Sequence, residues 1–316
     1  MTTFLVTGGA GFIGSHLCDT LLLKKHKVIC VDNFNDYYNP KWKKENIKHN
    51  LKNKNFFLYK ADTTDYKKLA KIFESHKIDK IVHLAASAGV RFSLKNPFVY
   101  VQTNIKGTLN LLELARIFKI KNFVFGSSSS VYGANKKIPF SESDQVENQY
   151  SPYASTKRMG EILCKTYHNI YGLNIICLRF FTVYGPRGRP DMAPYKFTSR
   201  VIRGNPIDMF GDGSSARDYT YVGDIVAGVI SSANVDGFEI VNLGDSRPIK
   251  LRDFISIIEA AVGKKAIINQ KEMPPEDVPI TYADISKAKK LLGYKPKIKI
   301  EEGILRFVEW YKNERY

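Results

Sequence analysis

Tyr153-Ala-Ser-Thr-Lys157 puts a phenol and an ammonium four residues apart, on one face of a helical turn. A run of four serines, Ser127 to Ser130, lies a short way upstream. Together these groups make a set for moving a proton. A free tyrosine has a pKa near ~10 and is a poor base at neutral pH, so a neighbouring lysine cation is what brings its phenolate within reach. The same Tyr/Lys spacing also suits a solvated helix face. The segments that precede it decide between the two readings.

Phe4-Leu5-Val6-Thr7 is a short apolar run that ends in Gly8-Gly9-Ala10-Gly11-Phe12-Ile13-Gly14 and passes into an amphipathic segment from Ser15. This predicts strand, glycine turn and helix. At Gly8, Gly11 and Gly14 the missing side chains allow a tight turn, close approach to a pyrophosphate, and packing of helix on strand. A second apolar run, Val28 to Val31, ends in Asp32-Asn33, where an acid accepts hydrogen bonds from an adenosine ribose. Its carboxylate would repel a 2′-phosphate, so NAD is predicted rather than NADP. The predicted cofactor contacts are Gly8, Gly11, Phe12, Ile13, Gly14, Asp32 and Asn33, then Asp62-Thr63, Leu84-Ala85-Ala86, and Tyr153 with Lys157. Asp62 admits two readings, contact with the adenine or the cap of the following helix.

Phe56 to Tyr59, Lys80 to Leu84, Asn122 to Phe125 and Ile175 to Phe180 read as further strands, and Asn104 to Phe118 and Tyr153 to Tyr171 as helices. The alternation predicts an α/β fold, a Rossmann-type doubly wound parallel sheet over residues 1–180 that binds the dinucleotide. After Phe180 the turn-rich stretches GPRGRPDMAP, RGNPI and GDGSSARDY predict a smaller C-terminal substrate-binding lobe over 181–316, with Glu239 to Leu243 returning to the main sheet.

At 316 residues and 44% hydrophobic composition the chain can bury a large core. The net charge of +17 invites a nucleic-acid reading. However, the lysines are spread along the chain, and the densest patch, Lys41 to Lys54, carries no nucleic-acid-binding pattern. Solvated lysine faces explain the surplus; no nucleic-acid partner is expected, and anionic small substrates are favoured. No apolar run approaches the ~20 residues of a membrane span, and the N-terminal residues lack the pattern of a signal peptide, so no membrane association and a cytoplasmic location are expected. The four cysteines, Cys18, Cys30, Cys164 and Cys177, have no metal-binding spacing and predict buried thiols and no metal.

With these residues assembled, the chain resembles the extended short-chain dehydrogenase/reductase family over essentially its whole length. The motifs are TGGAGFIG at 7–14, Asp32, HLAA at 83–86, NIKGT at 104–108, SSSSVYG at 127–133, YASTK at 153–157 and RDYTYVGDI at 217–225. Within that family it is similar to the UDP-glucuronate 4-epimerases, through AGVRFSLKNP at 88–97, VYGPRGRPDMA at 183–193 and PPEDVPITYADISKA at 274–288.

The resemblance implies an isomerase that retains NAD and acts on a UDP-sugar. Tyr153, assisted by Lys157, takes the proton of the sugar 4-hydroxyl while the C4 hydride passes to NAD⁺, and Ser128 hydrogen-bonds the same oxygen. The 4-keto sugar then turns over and receives the hydride on its opposite face. Lys157 would also contact the nicotinamide ribose, Arg217 the diphosphate and Asp277 the uridine, with Arg91 completing the substrate set. For a glucuronate the intermediate is a β-keto acid, whose carboxylate must be held out of line with the ketone π system. Arg189 can do so through two parallel hydrogen bonds, with Thr182, Ser129 and Ser130 as neutral donors and no acid required nearby. A UDP-glucose/UDP-galactose 4-epimerase is the alternative reaction. A non-catalytic NAD-binding regulator is the alternative class, which the intact Tyr153 and Lys157 oppose. A homodimer is expected, because the helices at 104–118 and 153–171 carry more apolar residues than one buried stripe needs and would pair as a four-helix bundle.

Overall fold

The computed structural model describes residues 1–273 and 279–316. Thr3–Thr7 is buried from Phe4 onward and is an interior strand of a seven-stranded parallel sheet, next to its central strand Lys80–His83. The strand order is Phe238–Leu243, Asn174–Phe180, Asn122–Ser128, Lys80–His83, Thr3–Thr7, Lys27–Asp32, Phe56–Lys60. The order reverses between Thr3–Thr7 and Lys80–His83, and a crevice opens there at the carboxyl ends. Glu239 to Leu243 lies within the strand that pairs with Asn174–Phe180.

Both faces of the sheet are covered, as its near-continuous apolar strands require. Leu5, Ile29, Phe123 and Ile175 pack under the helices Tyr66–Ser75, Gly107–Ile117 and Pro152–Tyr171. Their neighbours Val6, Val28, Val124 and Ile176 pack under Phe12–Leu23 and Val222–Ser232. A third core, with Tyr184, Tyr219, Phe254, Ile304 and Phe307, holds the smaller lobe together. At its centre Ala216–Tyr221 pairs with Thr182–Tyr184, Pro248–Lys250 and Ile280–Thr281. Among the described residues no helix is long and apolar enough to cross a membrane.

The helix expected from Asn104 has a longer approach. Val90–Lys95 and Pro97–Tyr100 lead into a π-helical turn, Val101–Lys106, and only then into Gly107–Ile117. The wider turn buries Asn104. Its Nδ2 donates to Ser87 O (3.0 Å) and to Thr156 Oγ1 (3.0 Å), and its Oδ1 accepts from Ser87 N (2.8 Å). Thr156 Oγ1 in turn donates to Tyr153 O (2.9 Å).

The same turn is tied to the sheet through His83. Thr108 donates its hydroxyl proton to Asn104 O (2.6 Å), so it accepts from His83 Nε2 (3.0 Å), which fixes that nitrogen as N–H. Nδ1 is then the acceptor from Thr7 Oγ1 (2.7 Å), which itself accepts from Ala85 N (3.3 Å). Burial, with the Lys157 charge, pushes the His83 pKa down to about 3.

In the unfolded chain His83 takes up a proton below about pH 6.5, whereas in the folded protein it does so only near pH 3. Between those values the unfolded state binds more protons, so stability falls as pH falls, by up to ~1.4 kcal/mol per pH unit from this group. Urea melts of wild type and His83→Gln across that window should show a shallower acid dependence in the variant. Equal slopes would assign the acid sensitivity to other groups.

Candidate active site

Why the crevice takes a dinucleotide is visible in its glycine turn. Gly8 has φ of +68°, and a Cβ on it would lie 2.8 Å from Ala85 N, so the turn and the end of the fourth strand touch backbone to backbone. A Cβ on Gly14 would overlap the Gly8 carbonyl. Gly11 leads into the helix Phe12–Leu23 with no side-chain cap, which leaves first-turn N–H groups for an anion.

Above this turn lies a cavity of about 470 Å³. It is lined by the predicted cofactor residues Gly8, Gly11, Phe12, Ile13, Gly14, Asp32, Asn33, Asp62, Thr63, Leu84, Ala85, Ala86, Tyr153 and Lys157, and by Arg189. Asp32 is buried at the tip of its strand, where Oδ2 accepts from Ala10 N (3.1 Å) and Oδ1 from Phe34 N (2.8 Å). Asp62 is not a helix cap. It accepts from Asn33 Nδ2 (2.7 Å), Thr64 N (2.8 Å) and Thr64 Oγ1 (2.7 Å), while Asp65 caps Tyr66–Ser75 by accepting from Lys68 N (3.0 Å). An uncapped helix N-terminus over a glycine cradle, with a carboxylate at the neighbouring strand tip, fits NAD.

Tyr153 and Lys157 sit at the first turns of Pro152–Tyr171, whose start is fixed by Ser151 accepting from Ala154 N (3.1 Å) and by Pro152. Burial raises the Tyr153 pKa; a Ser128 hydrogen bond and the Arg189 charge pull it back, and Asp191 opposes them. Lys157 is buried against the serine-bearing strand. Its ammonium donates to Gly126 O (2.6 Å) and lies 5.1 Å over the Phe125 ring, and burial lowers its pKa to about 8. Ser128 and Arg189 are groups that ease ionisation of the phenol.

The serine run begins on a strand, Asn122–Ser128, and continues as a 3-10 turn, Ser129–Tyr132. Ser128 Oγ donates to Ser130 Oγ (3.1 Å) and accepts from Ser130 N (3.1 Å). Behind it lies a buried ion pair. Arg179 donates from Nε (2.9 Å) and Nη2 (3.0 Å) to Glu161, one turn beyond Lys157. Ser127 Oγ (2.6 Å) and Arg158 Nη1 (3.1 Å) donate to the same carboxylate. The Arg179 guanidinium lies 4.7 Å over the Tyr132 ring.

The remaining predicted residues take varied positions. Ser129, Ser130 and Thr182 are half-buried near the strand ends but do not line the cavity. Arg91 is exposed, 5.3 Å over the Phe210 ring of the smaller lobe. Arg217 donates to Ala216 O (2.9 Å) and Pro279 O (3.2 Å). Asp277 falls outside the described residues. Sequence reasoning missed Asn35, Tyr37, Tyr38 and Lys43, which the insertion after Asp32 brings to the cavity. Their only sequence signal is a cluster of aromatic and amide residues in a stretch otherwise rich in lysine. It also missed Asp191, which accepts both Nε (3.0 Å) and Nη2 (2.6 Å) of Arg189. An acid does stand beside the expected carboxylate clamp.

The protein-family model for GDP-mannose 4,6 dehydratase matches residues 5–307. The chain is 48% identical over 313 residues to UDP-glucuronate 4-epimerase of Thermodesulfobacterium geofontis, across 99% of this chain and 97% of the relative. It superposes on the UDP-glucuronic acid 4-epimerase of Bacillus cereus, solved in complex with UDP-glucuronic acid and NAD, with a TM-score of 0.93 at 37% identity, covering 99% of each chain. UDP-glucose 4-epimerase of Thermotoga maritima, solved with UDP-glucose, gives 0.91 at 33% identity, again over 99% of each.

Glu161→Ala would leave the Arg179 guanidinium buried without its counter-charge. A loss of about 3–5 kcal/mol is expected in denaturant titrations, the cost of breaking a buried pair from one side. A loss below ~1 kcal/mol would mean that solvent reaches Arg179 and that the pair does not fix the serine strand.

Proposed function

This chain belongs to the extended short-chain dehydrogenase/reductase family described by the GDP-mannose 4,6 dehydratase model, and from that premise we propose that it is an NAD-dependent UDP-glucuronate 4-epimerase. The observation that carries the choice of sugar is Arg189, a guanidinium in the same cavity as Tyr153 and close enough to act on its ionisation. A UDP-glucose 4-epimerase needs no such cation.

The seven-stranded part holds NAD, and the smaller lobe over 181–316, without its helix Val222–Ser232 and strand Phe238–Leu243, holds the UDP-sugar. The glycine turn and the start of Phe12–Leu23 receive the diphosphate, and Asp32 the adenosine ribose. NAD⁺, when bound, would supply the acceptor for the C4 hydride and the hydride that the other face of the sugar receives. Tyr153 takes the 4-hydroxyl proton and later gives it back, with Ser128 hydrogen-bonded to the same oxygen. Lys157 orients the nicotinamide ribose and keeps positive charge beneath the phenol. Arg189, with Thr182, Ser129 and Ser130, holds the carboxylate in the plane of the ketone, so that the bond to it stays orthogonal to the π system and CO₂ is retained. Arg91, Arg217 and Asp277 complete the substrate contacts. The reading includes a reducing, cytoplasmic setting, supported by the four cysteines held as buried free thiols.

Incubation of the purified protein with UDP-glucuronate and no added NAD should yield UDP-galacturonate. Tyr153→Phe should lower that rate by roughly 10²- to 10⁴-fold while UDP-sugar binding, read by calorimetry, survives. Wild-type rates in the variant would remove Tyr153 from the mechanism.

The reading also includes a homodimer. Val101 (48% exposed) and Leu109 (38%) face outward on one helical run, Met159 (48%) and Ile162 (51%) on the next, and Phe98 (83%) beside them. This is an apolar area of the kind that self-association covers. Light scattering at micromolar concentration should give twice the chain mass, and Ile162→Glu should shift it toward the monomer. A monomer mass for wild type would refute the dimer.

A further inference from the structure

Arg189 and Asp191 form a closed pair at the catalytic cavity, and a third residue braces it. Tyr37 Oη donates to Asp191 Oδ2 (3.1 Å), and the Arg189 guanidinium lies 5.7 Å over the Tyr37 ring. Tyr37 is itself wedged, edge-on to Phe92 at 5.2 Å and against Gly89, where a Cβ would come within 2.6 Å of its hydroxyl. Two parallel N–H donors, Nε and Nη2, are what a guanidinium offers a carboxylate for bidentate binding. Both already point at Asp191.

We propose that Asp191 sets substrate specificity as an internal carboxylate, braced by Tyr37, that occupies the Arg189 fork and must yield it to the carboxylate of the sugar. The inference rests on reading Arg189 as the carboxylate clamp. It gives the clamp a mechanism: exchange of one carboxylate for another on a guanidinium that is never left uncompensated. A buried cation without a partner is costly, so an empty fork would destabilise the free cavity. A sugar without a carboxylate cannot displace Asp191 and leaves the pair closed.

The pair also bears on the catalytic phenol. The groups around Tyr153 are Arg189 and Asp191 from the turn, Tyr37 from the insertion, Tyr100 with its ring centroid 6.0 Å away, Ser128, and Lys157 on the same helix. Arg189 lowers the phenol pKa and Asp191 raises it. Removing the Asp191 charge leaves Arg189 uncompensated, so the phenol ionises at lower pH.

The test compares wild type, Asp191→Asn, Tyr37→Phe and Arg189→Ala, measuring KM for UDP-glucuronate, the inhibition constant of UDP-glucose as its competitor, and the pH profile of kcat/KM. Asp191→Asn, close to isosteric, should lower KM for UDP-glucuronate by roughly tenfold. It should leave UDP-glucose unchanged and shift the ascending limb of the profile toward acid. Tyr37→Phe, which removes only the brace, should move KM in the same direction by a smaller factor. A raised KM in Asp191→Asn would mean that Asp191 orients Arg189 rather than competing for it, and an unchanged KM with an unchanged pH profile would also overturn the proposal. Arg189→Ala separates the two levels. If it leaves the preference for UDP-glucuronate over UDP-glucose intact, the clamp itself lies elsewhere; if it abolishes the preference while Asp191→Asn does nothing, only the exchange fails.

Discussion

The contact between the Gly8 turn and Ala85, backbone against backbone, is the constraint from which the site is built. It exists because the sheet reverses its order at this point, so the ends of the first and fourth strands lie side by side with no helix between them. A chain of hydrogen bonds starts directly beneath it. Ala85 N, Thr7, His83, Thr108, Asn104 and Thr156 follow one another to the carbonyl of Tyr153. Each hydroxyl in the first half has its proton direction set by its neighbour, which leaves His83 one neutral tautomer. The helix that carries Tyr153 and Lys157 is thus positioned from the glycine turn by a polar relay through the core. Such a relay tolerates little slack, because each unsatisfied member would carry a desolvation cost.

Electrostatically, the cavity is poised against itself. Burial raises the pKa of Tyr153 and lowers that of Lys157 to about 8, so each group is pushed toward its neutral form. Lys157 is held by one carbonyl and by the face of Phe125, neither of which carries a full charge. Cys164 and Glu161 raise its pKa against burial without offsetting it, and the Glu161 carboxylate is committed to Arg179. Free tyrosine and lysine hold their protons almost equally, whereas here burial makes the phenol hold its proton more tightly and the ammonium less tightly, so the two are driven apart. The phenol therefore draws on the Ser128 hydrogen bond and the Arg189 charge to approach its ionised form.

What the sequence made legible was local. Glycine spacing, apolar runs of strand length and the Tyr/Lys interval are short-range signals, and the elements they predict stand within a few residues of their observed bounds. Errors came where a long-range contact overrode local propensity. Gly126, Ser127 and Ser128 are poor strand formers, yet they extend Asn122–Ser128 because Asn174–Phe180 pairs with it to the end. The π turn at Val101–Lys106 has no sequence signature of its own; it follows from burying Asn104 against the Ser87 backbone. Asp62 could cap the following helix on local grounds, but Asn33, far away in sequence, engages it and Asp65 caps instead. Glu161 with Arg179, and Tyr37 with Asp191, are partnerships between distant segments that no interval in the chain announces.

The turn that carries Arg189 is, in the same way, less independent than its Gly- and Pro-rich sequence suggests. His16, whose pKa burial and Arg187 push down to about 4, is neutral, and its Nε2 donates to Pro186 O (2.8 Å). Arg187 pairs with Asp19 (2.7 Å), which also accepts from Asn50 (2.5 Å) and His49 (2.9 Å). Both anchors lie on Phe12–Leu23, the helix that begins at the glycine turn. The backbone that presents Arg189 is therefore fixed to the element that would hold the cofactor diphosphate, and the two sides of the cavity keep their spacing. With the backbone tied down, the freedom left at this position is in the Arg189 side chain and its choice of carboxylate. On the proposed exchange, recognition of the sugar would need only a rearrangement of a few side-chain torsions, small enough to recur in every turnover without disturbing the lobes.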